Sequence, residues 1–228
     1  MTDTAIIESA AATEAQEAAQ AAELAAWLDQ RCGKLTASRM KDAIDFKRDG
    51  SPSQKRSDYM RDLLAERLTQ ISTRHYVNPA MQWGLETEPM ARLRYAEITG
   101  HKLVSGEFVE HVGIGNFGCT PDAFVRSKSD GRGLLEIKCP TTSTFVQWRL
   151  IKGIPPEHLP QLLAQLACCR DHGWVDFFAY DPRIKDDKMN YILRRYKPTQ
   201  SDITSIELQA TIFLGELDDM FDQFVSAI

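Results

Sequence analysis

Two acids and a lysine near the middle of the chain have the types and the spacing of a catalytic site. Asp122 follows Thr-Pro, and thirteen residues lie between it and Glu136-Ile137-Lys138, which sits in the apolar segment L-L-E-I-K-C-P. In a strand, period-two alternation places Glu136 and Lys138 on one face and Ile137 on the other. The segment D-G-R-G at 130–133 is typical of a hairpin turn. An antiparallel hairpin can therefore bring Asp122 close to Glu136.

Such a trio suits metal-assisted hydrolysis of a phosphodiester. The carboxylates of Asp122 and Glu136 can hold one or two Mg²⁺ ions, and strand carbonyls such as that of Ile137 commonly complete the metal shell. The metal polarises the phosphate and activates a bound water. Lys138 can orient that water, assist its deprotonation or stabilise charge on the phosphorane oxygens. The pattern alone is short and also fits an ordinary cross-strand charge pair on a surface strand.

An upstream segment offers a further acid. The predicted helix there starts W-G-L-E-T-E-P-M-A, with Glu86 and Glu88 in its first turn. Glutamates early in a helix commonly serve the helix dipole. A glutamate from a neighbouring helix is also what a two-metal site built on Asp122 and Glu136 still lacks. The residues themselves leave both roles open.

The hydrophobic pattern predicts an α/β fold, with a mixed central β-sheet flanked by helices. A period of 3.6 marks helices at 57–71, 85–99, 143–151, 157–171 and 200–226, with Gly100 ending the second. A period of two marks strands at 102–112, 115–127, 131–140, 174–181 and 189–196. Residues 33–44 are expected to pass from a strand end into a short helix, for which Thr36 or Ser38 is a candidate N-cap.

The N-terminal segment differs from the rest of the chain. Residues 1–26 are rich in Ala, Glu and Gln, which predicts a helical N-terminal arm ahead of a single domain over 27–228. Residues 45–57 are expected to be a flexible loop, either simply solvated or in contact with DNA. Its four cations are Lys47, Arg48, Lys55 and Arg56.

Composition limits the functional class without deciding it. The net charge is −5, whereas a protein that passively coats DNA is normally basic; a nuclease needs only local acids and a basic channel. The five cysteines, an odd number at irregular spacing, argue against a disulfide framework. The sequence has neither a membrane-span-length apolar run nor a secretory leader pattern. We therefore expect a cytoplasmic, intracellular protein with no membrane association.

The acids and the segments around them resemble the PD-(D/E)XK nuclease superfamily, with its restriction-endonuclease-like core. The closer likeness is to the phage lambda-type exonuclease family of viral recombinase nucleases, which digest duplex DNA 5′→3′. The matching motifs cover about 27–183 in the family's order: L-T-A-S at 35–38, W-G-x-x-x-E at 83–88, C-T-P-D at 119–122, L-E-I-K-C-P at 135–140, a glutamine-bearing helix at 161–165 and Y-D-P-R at 180–183.

This resemblance implies a role for each matching position. The family's metal site falls on the acids and one carbonyl, namely Glu88, Asp122, Glu136 and Ile137. Lys138 falls on the catalytic lysine, and Gln161 on the helix glutamine that supports the site. Arg31 matches the arginine that contacts the 5′-phosphate, and Thr36 and Ser38 lie in the same anion-binding region. Two positions depart from the family: Ala123 replaces a frequent Gly, and His158 stands where a tyrosine is common, which puts an aromatic contact in doubt.

The resemblance also implies a specific activity. We expect an exonuclease that uses Mg²⁺, with two ions or with Mn²⁺ as a substitute, and that requires duplex ends carrying a 5′-phosphate. It would leave 3′ single-stranded tails for recombination by strand annealing. A ring-shaped homotrimer and a partner single-strand annealing protein follow from the resemblance alone. The alternatives are an endonuclease of restriction or repair type and a catalytically idle DNA-binding adaptor.

Overall fold

The computed structural model describes residue 22 and residues 24–73 and 79–227. Within these residues the strands are β1 Leu35–Thr36, β2 Lys102–Ser105, β3 Val109–Glu110, β4 Phe117–Cys119, β5 Ala123–Ser127, β6 Gly131–Lys138, β7 Val175–Tyr180 and β8 Tyr191–Tyr196. The helices are α1 over 24–31, α2 Met40–Ala43, α3 Gln54–Thr69, α4 Pro79–Thr99, α5 Thr142–Leu150, α6 Leu159–Cys168 and α7 Gln200–Ser226. Short 3-10 turns cover Ala37–Arg39 and Pro156–His158.

The strands form a mixed sheet, as the sequence predicts. Its order is β2-β5-β6-β7-β8, and β6 runs parallel to β7 while the other neighbours are antiparallel. A smaller sheet has the order β1-β4-β3. Strand β1 precedes α2 in the chain, whereas β3 and β4 follow α4. The parallel β6–β7 pair requires a crossover, which α5 and α6 supply.

Both faces of the central sheet are buried, and β6 lies between the two cores. Leu134 belongs to the larger core, with residues of α3, α6 and α7, whereas Leu135 packs with α4 in a second cluster. The alternation continues along the strand, so Ile137 joins the α4 side while Glu136 contacts α6. The predicted separation of Glu136 from Ile137 across the strand is therefore confirmed.

Two of the predicted strands are broken in the structure. Segment 102–112 divides into β2 and β3, and segment 115–127 into β4 and β5, which belong to different sheets. A Cβ at Gly106 would lie 1.7 Å from the carbonyl oxygen of Pro121, so glycine is required where these chains cross. The hairpin turn also shifts: Ser127 pairs with Gly131, so the turn covers 128–130 and not 130–133.

The basic loop is shorter and more ordered than predicted. α3 starts at Gln54, because the Ser53 side chain accepts a hydrogen bond from the backbone N–H of Arg56. Arg56 is only 2% exposed and forms an ion pair with Glu216, so the prediction of a flexible cation at this position is wrong. A bridge between Phe46 and Pro52 closes the remaining loop.

Helix α4 extends beyond its predicted start. Within the described residues it begins at Pro79, six residues before the predicted bound, and it contains Pro89 in its interior. It ends as predicted, because Gly100 has a φ of 65° and donates its N–H to the carbonyl of Ala96 at 2.9 Å. The earlier start places Trp83 on the same helix as Glu88.

The predicted N-terminal arm lies largely outside the described residues, which include only 22 and 24–26 of it. Residues 24–26 are helical and continue into α1. The single domain over 27–228 stays a prediction. In the part of the chain that the structure describes, none of the helices combines the length and the apolar character needed to span a bilayer.

Candidate active site

The hairpin β5–β6 brings the two acids and the lysine together. Glu136 is 2% exposed, and its Oε1 accepts a hydrogen bond from Lys138 Nζ at 2.5 Å. Asp122 directly precedes β5, and its Oδ2 accepts the backbone N–H of Ile137 at 2.5 Å. This bond holds the carboxylate of Asp122 against strand β6, at the residue next to Glu136. The alternative of a cross-strand pair on a solvated strand is wrong, since Glu136 is buried.

The charges in this cluster act strongly on one another. Burial raises the pKa of Asp122 well above its ordinary value, and the negative charges of Glu136 and Glu88 raise it further. Burial lowers the pKa of Lys138, but Glu136 and Asp122 outweigh that effect, so its pKa is raised overall. Lys138 is therefore an ammonium group at neutral pH. As a cation it is suited to donating hydrogen bonds and stabilising negative charge.

Glu88 completes the group of acids from helix α4. Its Oε1 accepts from Arg92 Nη2 at 2.9 Å, and Arg92 Nη1 donates to the backbone carbonyl of Asp122 at 2.6 Å. Glu86 is exposed and accepts from Gln82 instead. Of the two candidates, Glu88 therefore lies in the site and Glu86 does not. Sequence reasoning missed Arg92, although its position one helical turn after Glu88 was a usable signal.

A cleft of about 370 Å³ opens onto these residues and is lined by Glu88, Ile137 and Lys138 among others. Among the described residues, no three His, Cys, Asp or Glu side chains are already grouped closely enough to hold an ion. The donor chemistry nevertheless fits Mg²⁺, because Glu88, Asp122 and Glu136 supply carboxylate oxygens whose charges act on one another. A divalent cation would relieve the repulsion among them. Ile137 as a carbonyl ligand stays a prediction.

Two glutamines of α6 orient the carboxylate of Glu136. Gln161 Nε2 donates to Oε1 at 2.6 Å, as expected for the supporting glutamine, and Gln165 Nε2 donates to Oε2 at 2.5 Å. Gln165 is fully buried and was missed from the sequence, although its position four residues after Gln161 places it on the same helix face. Together the two amides fix the plane of the carboxylate.

Replacing Gln165 with leucine should lower the free energy of unfolding by about 1–3 kcal/mol, because it leaves a buried oxygen of Glu136 without its donor. Gln161→Leu is the matched control and should cost less, since water can reach the half-buried Gln161. Denaturant unfolding of both variants in EDTA measures the difference. Equal losses would contradict the role assigned to Gln165.

His158 retains a ring contact at the position where the family commonly has a tyrosine. Its ring lies 4.8 Å from the ring of Trp148, at nearly a right angle, and 5.2 Å from that of Phe177. Burial lowers the pKa of His158 to about 4, and the positive charge of Lys138 contributes. His158 is therefore a packed, neutral histidine whose pKa is influenced by Lys138.

A second constellation, beside the acids, is built around Arg31 of α1. Its Nη1 donates to Thr120 Oγ1 at 3.0 Å and its Nη2 to Ser38 Oγ at 3.2 Å. The ring of Trp27 covers the guanidinium at 4.1 Å, and Thr36 Oγ1 lies 3.4 Å from Ser38 Oγ. The arginine and both predicted hydroxyls thus come together. Thr120 was missed, although it is two residues from Asp122 in C-T-P-D.

Thr36 lies at a helix start but does not cap it through its side chain. It occupies the N-cap position of the 3-10 turn, one of the two predicted positions, and its side chain makes no capping hydrogen bond there. Burial lowers the pKa of Arg31, which nevertheless remains a cation. A cation with clustered hydroxyls is suited to binding a phosphate, because arginine presents several donors in one plane.

The fold and the site first define a class of protein. A mixed sheet flanked by helices, with Asp122, Glu136 and Lys138 on its central hairpin, is the restriction-endonuclease-like arrangement of PD-(D/E)XK proteins. A phage related exonuclease from Haemophilus somnus 129PT has a similar fold. It is 13% identical with a TM-score of 0.62, over 85% of this chain and 96% of that chain.

The chain belongs to the family described as the YqaJ-like viral recombinase domain, whose model matches residues 26–172. It is 34% identical to the alkaline exonuclease LHK-Exo from Laribacter hongkongensis, with a TM-score of 0.78 over 88% of this chain and 96% of that chain. A structure of LHK-Exo in complex with dAMP matches at 35% identity and a TM-score of 0.77, over 87% and 94% respectively. No curated protein matches the chain. The resemblance to viral recombinase exonucleases is confirmed.

Proposed function

We propose that the chain is a Mg²⁺-dependent exonuclease that degrades one strand of linear duplex DNA in the 5′→3′ direction. The family and the likeness to an alkaline exonuclease support the coarser part, a deoxyribonuclease. The observation that carries the finer part is the hydrogen bond between Arg31 and Thr120. This contact links Arg31 to a residue two positions before Asp122, which supports a role for Arg31 in engaging a terminal 5′-phosphate near the acids.

Each residue of the site has a chemical role in this proposal. Glu88, Asp122 and Glu136, with the carbonyl of Ile137, would hold the divalent ion. When bound, it supplies Lewis-acid polarisation and a water of lowered pKa. Lys138, as an ammonium group, donates to the attacking water or to a phosphate oxygen as charge develops there.

The biological setting is part of the proposal. The product would be duplex DNA with 3′ single-stranded tails, which a single-strand annealing protein can use for recombination. A homotrimer, the use of two Mg²⁺ ions or of Mn²⁺, and an intracellular location rest on the family resemblance.

Digestion of linear duplex DNA labelled separately at each 5′ and 3′ end tests the proposed function. With Mg²⁺ we expect early release of the 5′ label as a mononucleotide, while the 3′ label stays on long strands. Closed circular DNA should remain intact. Cutting of the circle would instead support an endonuclease. DNA binding without any cleavage, in Mg²⁺ or Mn²⁺, would support an idle adaptor.

Replacing Arg31 with alanine should selectively remove the preference for 5′-phosphorylated over 5′-hydroxyl ends. The reason is that the guanidinium provides the cationic donors for the terminal phosphate. The ratio of kcat/KM for the two kinds of end is the measurement. Arg31→Lys should recover part of the ratio, because it keeps the charge but not the planar donor array. An equal loss on both ends would exclude Arg31 from this role.

A further inference from the structure

A buried aspartate marks the end of β7, next to the catalytic strand. Asp181 is fully buried and directly follows the strand. Its carboxylate accepts hydrogen bonds from Thr142 Oγ1 at 2.7 Å and from Arg183 Nε at 2.7 Å, and also from the backbone N–H of Arg183 at 3.0 Å. Asp181 therefore fixes the guanidinium of Arg183 and the start of α5 together.

Arg183 also contacts the segment after β6 and helix α4. Its Nη2 donates to the carbonyl of Pro140 at 2.9 Å, two residues beyond Lys138. Its guanidinium lies over the ring of Trp83 at 4.4 Å, and Trp83 is on α4 five residues before Glu88. We call Asp181, Arg183 and Trp83 the clasp. The clasp joins the end of the catalytic strand to the helix that carries Glu88.

Helix α4 needs such an anchor because of Pro89. Proline has no N–H, so the bond from residue 89 to the carbonyl of Leu85 is missing, and the helix is weakened beside Glu88. The part after Pro89 is held by Ala91 and Tyr95, both fully buried. The part before Pro89, from Pro79 to Glu88, is packed less tightly, since Thr87 is its one buried residue among those that the structure describes.

We propose that the clasp is a positioning device that sets Glu88 against Asp122 and Glu136 and thereby determines the affinity of the site for a divalent cation. The proposal rests on the proposed metal site. It assigns a role to Y-D-P-R, whose residues do not themselves line the acidic cluster. Trp83 and Arg183 act through Glu88, and neither contacts the reacting atoms.

The chain provides a matched control at the other end of the sheet. Arg195 donates to Asp176 through Nε at 2.8 Å and Nη2 at 2.9 Å, and its guanidinium lies over the ring of Trp174 at 3.5 Å. This group has the same chemistry as the clasp. Its Asp176 also accepts the hydroxyl of Tyr95 at 2.7 Å, so this group contacts α4 in the part after Pro89, away from Trp83.

The test is calorimetric titration of the full-length protein with Mn²⁺ in the absence of DNA, with the melting temperature recorded for each variant. Arg183→Lys and Trp83→Ala should weaken Mn²⁺ binding about ten-fold, the range found for residues that orient metal ligands. Trp83→Phe should rescue the affinity to within about two-fold of wild type, because it keeps a ring beneath Arg183. Arg195→Lys should lower the melting temperature and leave Mn²⁺ affinity unchanged.

Two results would overturn the inference alone: wild-type Mn²⁺ affinity in Arg183→Lys, or an equal loss of affinity in Arg195→Lys. In the first case, a loss of DNA affinity alone would identify Arg183 as a DNA contact. Failure of the wild-type protein to bind Mn²⁺, or equal binding by wild type and Asp122→Asn, would overturn the proposed metal site and this inference with it.

Discussion

Replacing Lys138 with alanine is expected to lower kcat by roughly 10²–10⁴-fold, the usual contribution of a proton-transfer or charge-stabilising group. Lys138 Nζ contacts Glu136 at 2.5 Å and lines the cleft that holds Glu88 and Ile137. In the proposed mechanism, negative charge develops beside Lys138 during attack on the phosphate. Its contribution is to the transition state, so KM for DNA should change little.

Single-turnover cleavage of a linear duplex, together with Mn²⁺ titration and DNA binding in Ca²⁺, measures the three effects separately. Lys138→Arg is the matched control, because it keeps the positive charge beside Glu136 but changes its shape. If Lys138→Ala lost Mn²⁺ affinity in proportion to kcat, its role would be to hold the acids in place. Retention of full activity would mean that the catalytic lysine has been misassigned.

Replacing Asp122 with asparagine is expected to abolish cleavage and, at the same time, to stabilise the protein in EDTA. Burial and the charges of Glu136 and Glu88 raise the pKa of Asp122, so its ionised form destabilises the folded state. Asparagine removes that charge and can still accept the N–H of Ile137. A gain of about 1 kcal/mol would raise the melting temperature by about 2–4 °C in a protein of this size.

The pH dependence of the stability gained by Asp122→Asn follows from the raised pKa of Asp122. A carboxyl whose pKa is raised by folding destabilises the native state above that raised pKa, and the penalty disappears below its unfolded-state pKa. The advantage of Asp122→Asn should therefore be larger at pH 8 than at acidic pH and should shrink as the pH is lowered. Melting curves of both proteins across this range provide the measurement. An unchanged advantage at low pH would contradict the electrostatic explanation, as would a lower melting temperature for the variant at pH 8.

The sequence predicted the central hairpin of the site because its signals are local. Alternation over 134–138 places Glu136 and Lys138 on one face, and the turn near Gly131 fixes the pairing with the segment after Asp122. The mixed sheet and the C-terminal helix Gln200–Ser226 were predictable for the same reason. Each depends on a periodicity that tertiary contacts reinforce.

The supporting residues were harder to predict because they depend on tertiary contacts. Nothing in the segment around Thr120 indicates that its hydroxyl lies beside Arg31, which is 89 residues away. Arg56 looks like a loop cation until its partner Glu216, 160 residues later, is known. Gln165 and Arg92 were accessible in principle, since each is four residues from a predicted site residue on the same helix.

The parallel pairing of β6 with β7 affects when the protein gains cleavage activity during synthesis and folding. The acids and the lysine all precede residue 139, whereas the glutamines of α6 and the clasp arginine follow it. During synthesis the carboxylates thus emerge before the glutamines and the clasp arginine, and β7 must close a crossover before its ladder with β6 can form. Because non-local pairings form slowly, cleavage competence should be among the last properties to appear in a refolding experiment.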